Sequence, residues 1–232
     1  MNDDINKTTS EYYQSEQVAA RYNQAFTSGW SPKHLRLRYL ARKERNIVEK
    51  FLTRIPCARV LDVPCGTGKL APVFKSLGLK VTACDISPYM LDVAKQTFLD
   101  QQIENAEFLV GDAESITEQV GRNQFDVVVC LRLMHRVTTD KKIEILRCLS
   151  EIAPYVVVSI SVDGPLDRLR RPFGRMIFGV NHPGSSAFLS DKQFRDLVTP
   201  YFNVASRGRV AGILSGEMVY LLKSGDEITS AG

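Results

Sequence analysis

Asp62, Gly66, Gly68 and Asp85 are the residues whose types and spacing point most directly to chemistry. The first three lie in Val60 to Leu70, VLDVPCGTGKL: a short apolar run ends in an acid, then comes a turn with two glycines, then helix-forming sequence. Gly66 and Gly68 can take positive φ and let a ligand approach the main chain, and the start of the next helix offers amide donors with no partner inside that helix. A nucleotide-like ligand is expected at such a loop. Gly66, Gly68 and Ala71 fit the G-x-G-x-x-G/A spacing used for dinucleotides, with Asp85 near the ~20-residue offset of a ribose acid, so the glycines alone leave NAD open. Asp62 tips the balance. A carboxylate aimed into the loop repels a pyrophosphate but suits a ligand carrying an ammonium and a sulfonium, and that ligand is S-adenosylmethionine.

Three further segments follow in order: VTACDISPYML from Val81 to Leu91, EFLVGDAESI from Glu107 to Ile116, and FDVVVCLRLMHRV from Phe125 to Val137. With them the chain resembles the class I S-adenosylmethionine-dependent methyltransferases of the small-molecule type, over about Val60 to Val137. The resemblance implies S-adenosylmethionine as cofactor and S-adenosylhomocysteine as product. It implies that Asp62 holds the methionine ammonium, that Cys65, Gly66 and Gly68 carry the cofactor loop, and that Asp85 accepts both ribose hydroxyls. Asp112 would accept the adenine amine, with Ala113 offering a nearby backbone N–H, while Ile86 and Leu131 line the adenine. Each has a plainer alternative: helix caps for Asp85 and Asp112, an acceptor of turn amides for Asp62, ordinary core for Ile86 and Leu131. Pro64 stands where the family pattern has its first glycine, and it has no amide to donate.

Cys130, Arg132, Met134 and His135 follow the fourth strand, where the family places groups near the transferring methyl. His135 is the candidate catalytic residue, as proton acceptor for a hydroxyl; the alternative is a capping or buried structural histidine. Acceptor-site candidates outside the motifs are Tyr12, Tyr13, Tyr22, Trp30, Arg168, Arg170, Arg171 and His182. An arginine fork suits carboxylate or phosphate, although most charge runs are solvated faces.

Around these residues apolar strand-like runs alternate with helical patterns, which predicts an α/β fold with a parallel sheet covered on both faces. Strands are expected near Arg59 to Val63, Lys80 to Cys84, Glu107 to Val110, Phe125 to Cys130 and Tyr155 to Ile160, and helices near Gly68 to Ser76, Pro88 to Gln101 and Thr139 to Ile152. Ser190 and Asp191 offer caps before KQFRDLV, and Phe202 to Val210 and Glu217 to Lys223 read as a final hairpin. The family resemblance implies a Rossmann-like sheet of seven strands in the order 3-2-1-4-5-7-6, the last strand antiparallel. Residues 1–55 are read as an N-terminal helical cover and 56–232 as the methyltransferase domain. The Gly- and Pro-interrupted stretch 163–189 is read as a lid.

Length and charge bound the remaining choices. At 232 residues and 44% hydrophobic the chain suits one well-buried α/β domain, and a net charge of +4 is ordinary surface chemistry. Five cysteines without a C-x-x-C pair indicate neither a disulfide framework nor a zinc site. No signal pattern opens the chain and no apolar run approaches the ~20 residues of a membrane span, so a cytoplasmic location is the expectation. The function expected is methyl transfer to a small molecule, anionic or lipid-linked, with oxygen as the favoured acceptor atom and an anionic membrane surface as a partner. RNA methylation is the first rival, weakened by the lack of an N-P-P-Y or D-P-P-Y run, and nucleic acid is disfavoured as a partner. A cofactor-binding scaffold without catalysis is the second, and the dehydrogenase reading the third.

Overall fold

The computed structural model describes residues 14–28, 30–162, 189–212 and 215–225. In chain order the elements are α1 (Glu16–Thr27), α2 (Pro32–Leu52), β1 (Arg59–Asp62), α3 (Ala71–Ser76), β2 (Lys80–Asp85), α4 (Pro88–Asp100) and β3 (Glu107–Val110). They continue with α5 (Ile116–Val120), β4 (Val127–Cys130), α6 (Thr139–Ile152), β5 (Tyr155–Ser161), α7 (Asp191–Val198), β6 (Phe202–Arg209) and β7 (Glu217–Ser224). One seven-stranded sheet has the order β3-β2-β1-β4-β5-β7-β6. Strands β1 to β5 pair in parallel, and β7 runs antiparallel to both β5 and β6. This is the Rossmann-like arrangement of the class I methyltransferases.

Alternation along the strands divides the core. Leu61, Val128, Cys130, Val156, Val158, Tyr220 and Leu222 face α6 and α7, while Val60, Val81, Ala83, Val127, Val129, Val157 and Val219 face α2, α3 and α4. Two-sided burial explains why the central strands read as continuous valine runs rather than as alternation. The helix starts follow their caps: Ser31 accepts from the His34 amide with Pro32 next in line, Ser87 accepts from Met90 with Pro88 next, and Ser190 with Gln193 forms a reciprocal capping box. Helix α1 packs Val18 and Ala19 on Met90 of α4, and α2 packs Leu40, Val48, Phe51 and Leu52 on one face of the sheet. No helix among the described residues is long and apolar enough to cross a membrane. The expected lid, with Arg168, Arg170, Arg171 and His182, and also Tyr12 and Tyr13, lies outside the described residues.

Candidate active site

A cavity opens at the carboxyl ends of β1, β2 and β4, on the side where open parallel sheets take ligands. Asp62, Cys65, Gly66, Asp85, Ile86, Asp112 and Leu131 line it, as do Tyr22 and Arg132. Gly68, Ala113 and His135, also expected at the site, are not among its lining residues.

The glycine loop is fastened to the next strand. Asp85 accepts the Gly66 amide on Oδ2 at 2.8 Å and the Ser87 amide on Oδ1 at 2.9 Å. The cap of α4 is Ser87, so the plainer reading of Asp85 as that cap does not hold. Asp85 keeps lone pairs for a ligand while it clamps the loop. Burial pushes its carboxyl up, and the amides of Ser87, Gly66 and Ile86 pull it back. Asp112 accepts the Glu114 amide at 3.1 Å in the turn before α5, so that turn is stabilised by the same side chain that faces the cavity.

Asp62 ends β1 with 2% exposure. Burial, then the charges of Asp85 and Glu44, push its carboxyl well above the usual range. A buried acid held against neighbouring carboxylates is a site that a ligand ammonium relieves.

The two glycines have different reasons to be glycine. Both have positive φ, +55° at Gly66 and +74° at Gly68. A Cβ on Gly66 would meet no protein atom within 4 Å, so the space beside it belongs to the cavity. A Cβ on Gly68 would meet Phe98 at 3.1 Å and the Ala94 Cα at 3.3 Å, so its missing side chain serves the packing of the loop on α4. Gly66→Ala is expected to cost about 1–2 kcal/mol of stability, from backbone conformation alone. Gly68→Val adds overpacking of a further ~1–3 kcal/mol. Urea unfolding compared with ligand titration checks this: Gly66→Ala should lose more ligand affinity than stability, and Gly68→Val the reverse.

Behind the strand-end acids lies a second charged group, in which Arg132 meets two acids, Glu44 and Glu217, that the sequence did not single out. Arg132 has φ +61°, and its amide donates to Ser159 Oγ at 2.8 Å. That unusual backbone turns the guanidinium toward α2. There Glu44 Oε2 accepts from Nη2 at 2.7 Å and from Nε at 2.9 Å, and Glu217 of β7 lies 3.7 Å from Nε. The arginine expected to meet the acceptor is thus already paired with two internal carboxylates. Burial, then the Glu44 charge, pushes the Glu217 carboxyl up to about 8 against the pull of Arg132, so a protonated Glu217 is placed to donate to Glu44.

Lys69 and Arg136 line the same end of the cavity, with Arg45 of α2. The Lys69 Nζ sits 3.7 Å from the Tyr22 ring centre and 3.0 Å from that of Phe26, and it is buried with no hydrogen-bond partner. The Arg132 guanidinium also lies over Phe26, at 5.5 Å. Asp62, Asp85 and Asp112 therefore lie at the ends of β1 to β3, and basic side chains with Glu44 and Glu217 among them gather between the glycine loop, the end of β4 and α2.

Known proteins resemble this chain in sequence and in fold. A family described as "Methyltransferase domain" matches residues 60–153. The ubiquinone biosynthesis O-methyltransferase of Xanthomonas campestris pv. campestris (strain B100) is 28% identical over 209 residues, covering 86% of this chain and 81% of that protein. The protein of the same name from Coxiella burnetii (strain Dugway 5J108-111) is 29% identical over 149 residues, covering 63% and 62%. Among solved structures, magnesium protoporphyrin IX methyltransferase from Synechocystis PCC 6803 with bound SAH (S-adenosylhomocysteine) superposes with a TM-score of 0.78 at 16% identity, over 95% of this chain and 100% of that one.

Proposed function

Because the chain is a class I S-adenosylmethionine-dependent methyltransferase, we propose that it methylates an oxygen of a small anionic acceptor. The carrying observation is that the basic side chains Arg45, Arg132 and Arg136 line the same cavity as the strand-end acids. The name O-methyltransferase borne by the relatives supports oxygen as the acceptor atom.

The cofactor supplies an activated methyl on sulfur. The residues that would hold it are Asp62 toward the ammonium, Cys65 and Gly66 along the loop, Asp85 toward the ribose, and Ile86, Asp112 and Leu131 around the adenine. Gly68 packs the loop on α4. The buried, charge-crowded Asp62 and the open space at Gly66 suit such a ligand. The protein's task is alignment, since in-line displacement needs the acceptor oxygen opposite the sulfur and excludes competing water. Helices α1 and α2 serve as the cover, supported by Tyr22, Ala41, Glu44 and Arg45 in the cavity wall. The exposed Trp30, Leu35 and Tyr39 beside Lys33, Arg36 and Arg42 support an anionic membrane surface as the place where the acceptor is met.

Calorimetric titration with S-adenosylhomocysteine, S-adenosylmethionine and NAD tests the cofactor, and transfer of radiolabelled methyl to hydroxy acids against their uncharged analogues tests the acceptor class. Binding of NAD in place of S-adenosylhomocysteine, or equal turnover of charged and uncharged acceptors, refutes the proposal.

A pH dependence follows from Asp62. Its folded value lies above the ordinary 3.8, so its protonated form favours the fold, and that contribution is lost as pH rises through the raised value. A bound ammonium reverses the sign. S-adenosylhomocysteine affinity should therefore strengthen as pH rises through the raised Asp62 value, and Asp62→Asn should bind weakly with a flatter profile. An unchanged profile in the variant would remove Asp62 from the ammonium site.

A further inference from the structure

We infer that Lys69 is the residue that takes the proton from the acceptor hydroxyl during methyl transfer. The inference rests on the reading of this cavity as a methyltransferase site, and it places the role of proton acceptor on a residue other than His135.

Lys69 follows Gly68 directly, so the rigid loop that would carry the cofactor also sets the base of its side chain. Its Nζ reaches into the cavity wall, where it has no hydrogen-bond partner although it is buried. A buried amino group without a partner costs free energy, which a ligand able to hydrogen-bond it recovers. Lys69 therefore has an open position for an acceptor group at the cation-rich end of the cavity.

What Lys69 offers that group depends on its protonation. Tyr22 and Phe26 from α1 press their ring faces on Nζ, Glu44 comes from α2, Arg132 and Arg136 come from the segment after β4, and Glu217 comes from β7. The rings and the two carboxylates favour the cation. Burial, then Arg132, with Arg136 adding to it, favours the neutral amine, and these together push the amine well below the usual lysine range. Arg132 stays charged because Glu44 holds it at 2.7 Å. The cluster thus spends its carboxylates on the arginine and leaves the lysine dehydrated between like charges, the arrangement that turns lysine into a base.

Every atom in the step is accounted for. The acceptor oxygen forms a bond to the methyl carbon, the carbon–sulfur bond breaks with its electron pair left on sulfur, and the hydroxyl proton passes to the neutral Nζ. The resulting ammonium returns its proton to water when the product leaves. A hydroxyl on an aromatic ring, titrating near ~10, is the acceptor class such an amine suits.

The first test needs no acceptor. In protein with 13C at lysine Cε, the Lys69 resonance is identified by its loss in K69R and K69M and followed against pH. It should titrate well below the ~10.4 of ordinary lysines, and titration together with them overturns the inference. The second test is calorimetric: S-adenosylhomocysteine affinity in K69M should stay within about 3-fold of the parent, whereas a loss of about 30-fold or more makes Lys69 a cofactor ligand and overturns the inference. Failure of the parent to bind S-adenosylhomocysteine would instead refute the methyltransferase reading of the cavity, while the resonance titration still decides the state of Lys69. With phenol, catechol and 3,4-dihydroxybenzoate as probes, both variants should lower kcat on any methylated probe about 10²–10⁴-fold and abolish the rise of kcat with pH. Parent-like turnover in K69R would also overturn it.

Discussion

Asp85→Ala should weaken S-adenosylhomocysteine by about 2–4 kcal/mol, roughly 30- to 1,000-fold in affinity, the largest single effect on ligand binding expected in this protein. Two losses combine. The ligand's hydroxyls lose a buried carboxylate, and the Gly66 and Ser87 amides, held at 2.8 and 2.9 Å, lose their acceptor. Freed of that bond, the glycine loop no longer presents a fixed surface to the cofactor, so even contacts far from the ribose weaken. Asp85→Asn separates the two parts, because its side-chain oxygen can still accept one of the two amides while its charge is gone. Calorimetry on variants with native circular dichroism is the measurement, and parent-like affinity in folded Asp85→Ala would sink the assignment.

The alternation of strands and helices, the glycine turn and the strand-end acids were legible because they are local, whereas the strand order came only with the family resemblance. A short apolar run ending in an acid, the positive-φ glycine turn after β1 and the Ser87-capped helix after β2 each carry their signal within a dozen residues. The same locality misleads about Gly68. A glycine in the motif looks as though it exists for the ligand, yet its Cβ position is filled by Phe98, thirty residues on in α4. Only packing shows which glycine serves the cavity.

The cationic end of the site was hidden for a related reason. Glu44 and Arg132 are 88 residues apart, and Glu217 comes from a hairpin strand that enters the sheet after the crossover. Read in sequence, Glu44 is one acid inside a basic run, and its only local signal is a helical position in register with Leu40, Ala41 and Val48 on the buried face of α2. Arg132 reads as an arginine near the chemistry, available to a substrate, and its capture by internal carboxylates is a tertiary fact. The basic stretch at 168–171 lies outside the described residues, so its expected role at the acceptor stands as it did from the sequence.

That buried triad carries the other large expectation. Glu44→Ala should destabilise the protein by about 3 kcal/mol, because it strips the closest partner from a largely buried guanidinium. Glu217, at 3.7 Å, can take over only by ionising, which the loss of the Glu44 charge makes easier. The double variant Glu44→Ala/Glu217→Ala should then lose about 0.5–3 kcal/mol more than the sum of the two single variants, because the arginine is left wholly unpaired. A pH signature separates this network from ordinary packing. The Glu217 carboxyl is raised from 4.5 to about 8 in the fold, so its protonated form stabilises below 4.5 and that contribution is lost as pH rises toward 8. Urea unfolding at pH 6 and at pH 8.5 should show the parent losing stability over this interval and Glu44→Ala losing much less, since the carboxylate that disfavours ionised Glu217 is gone. Parallel pH profiles for parent and variant would mean that Glu44 and Glu217 do not share a proton, and that Arg132 is held by Glu44 alone.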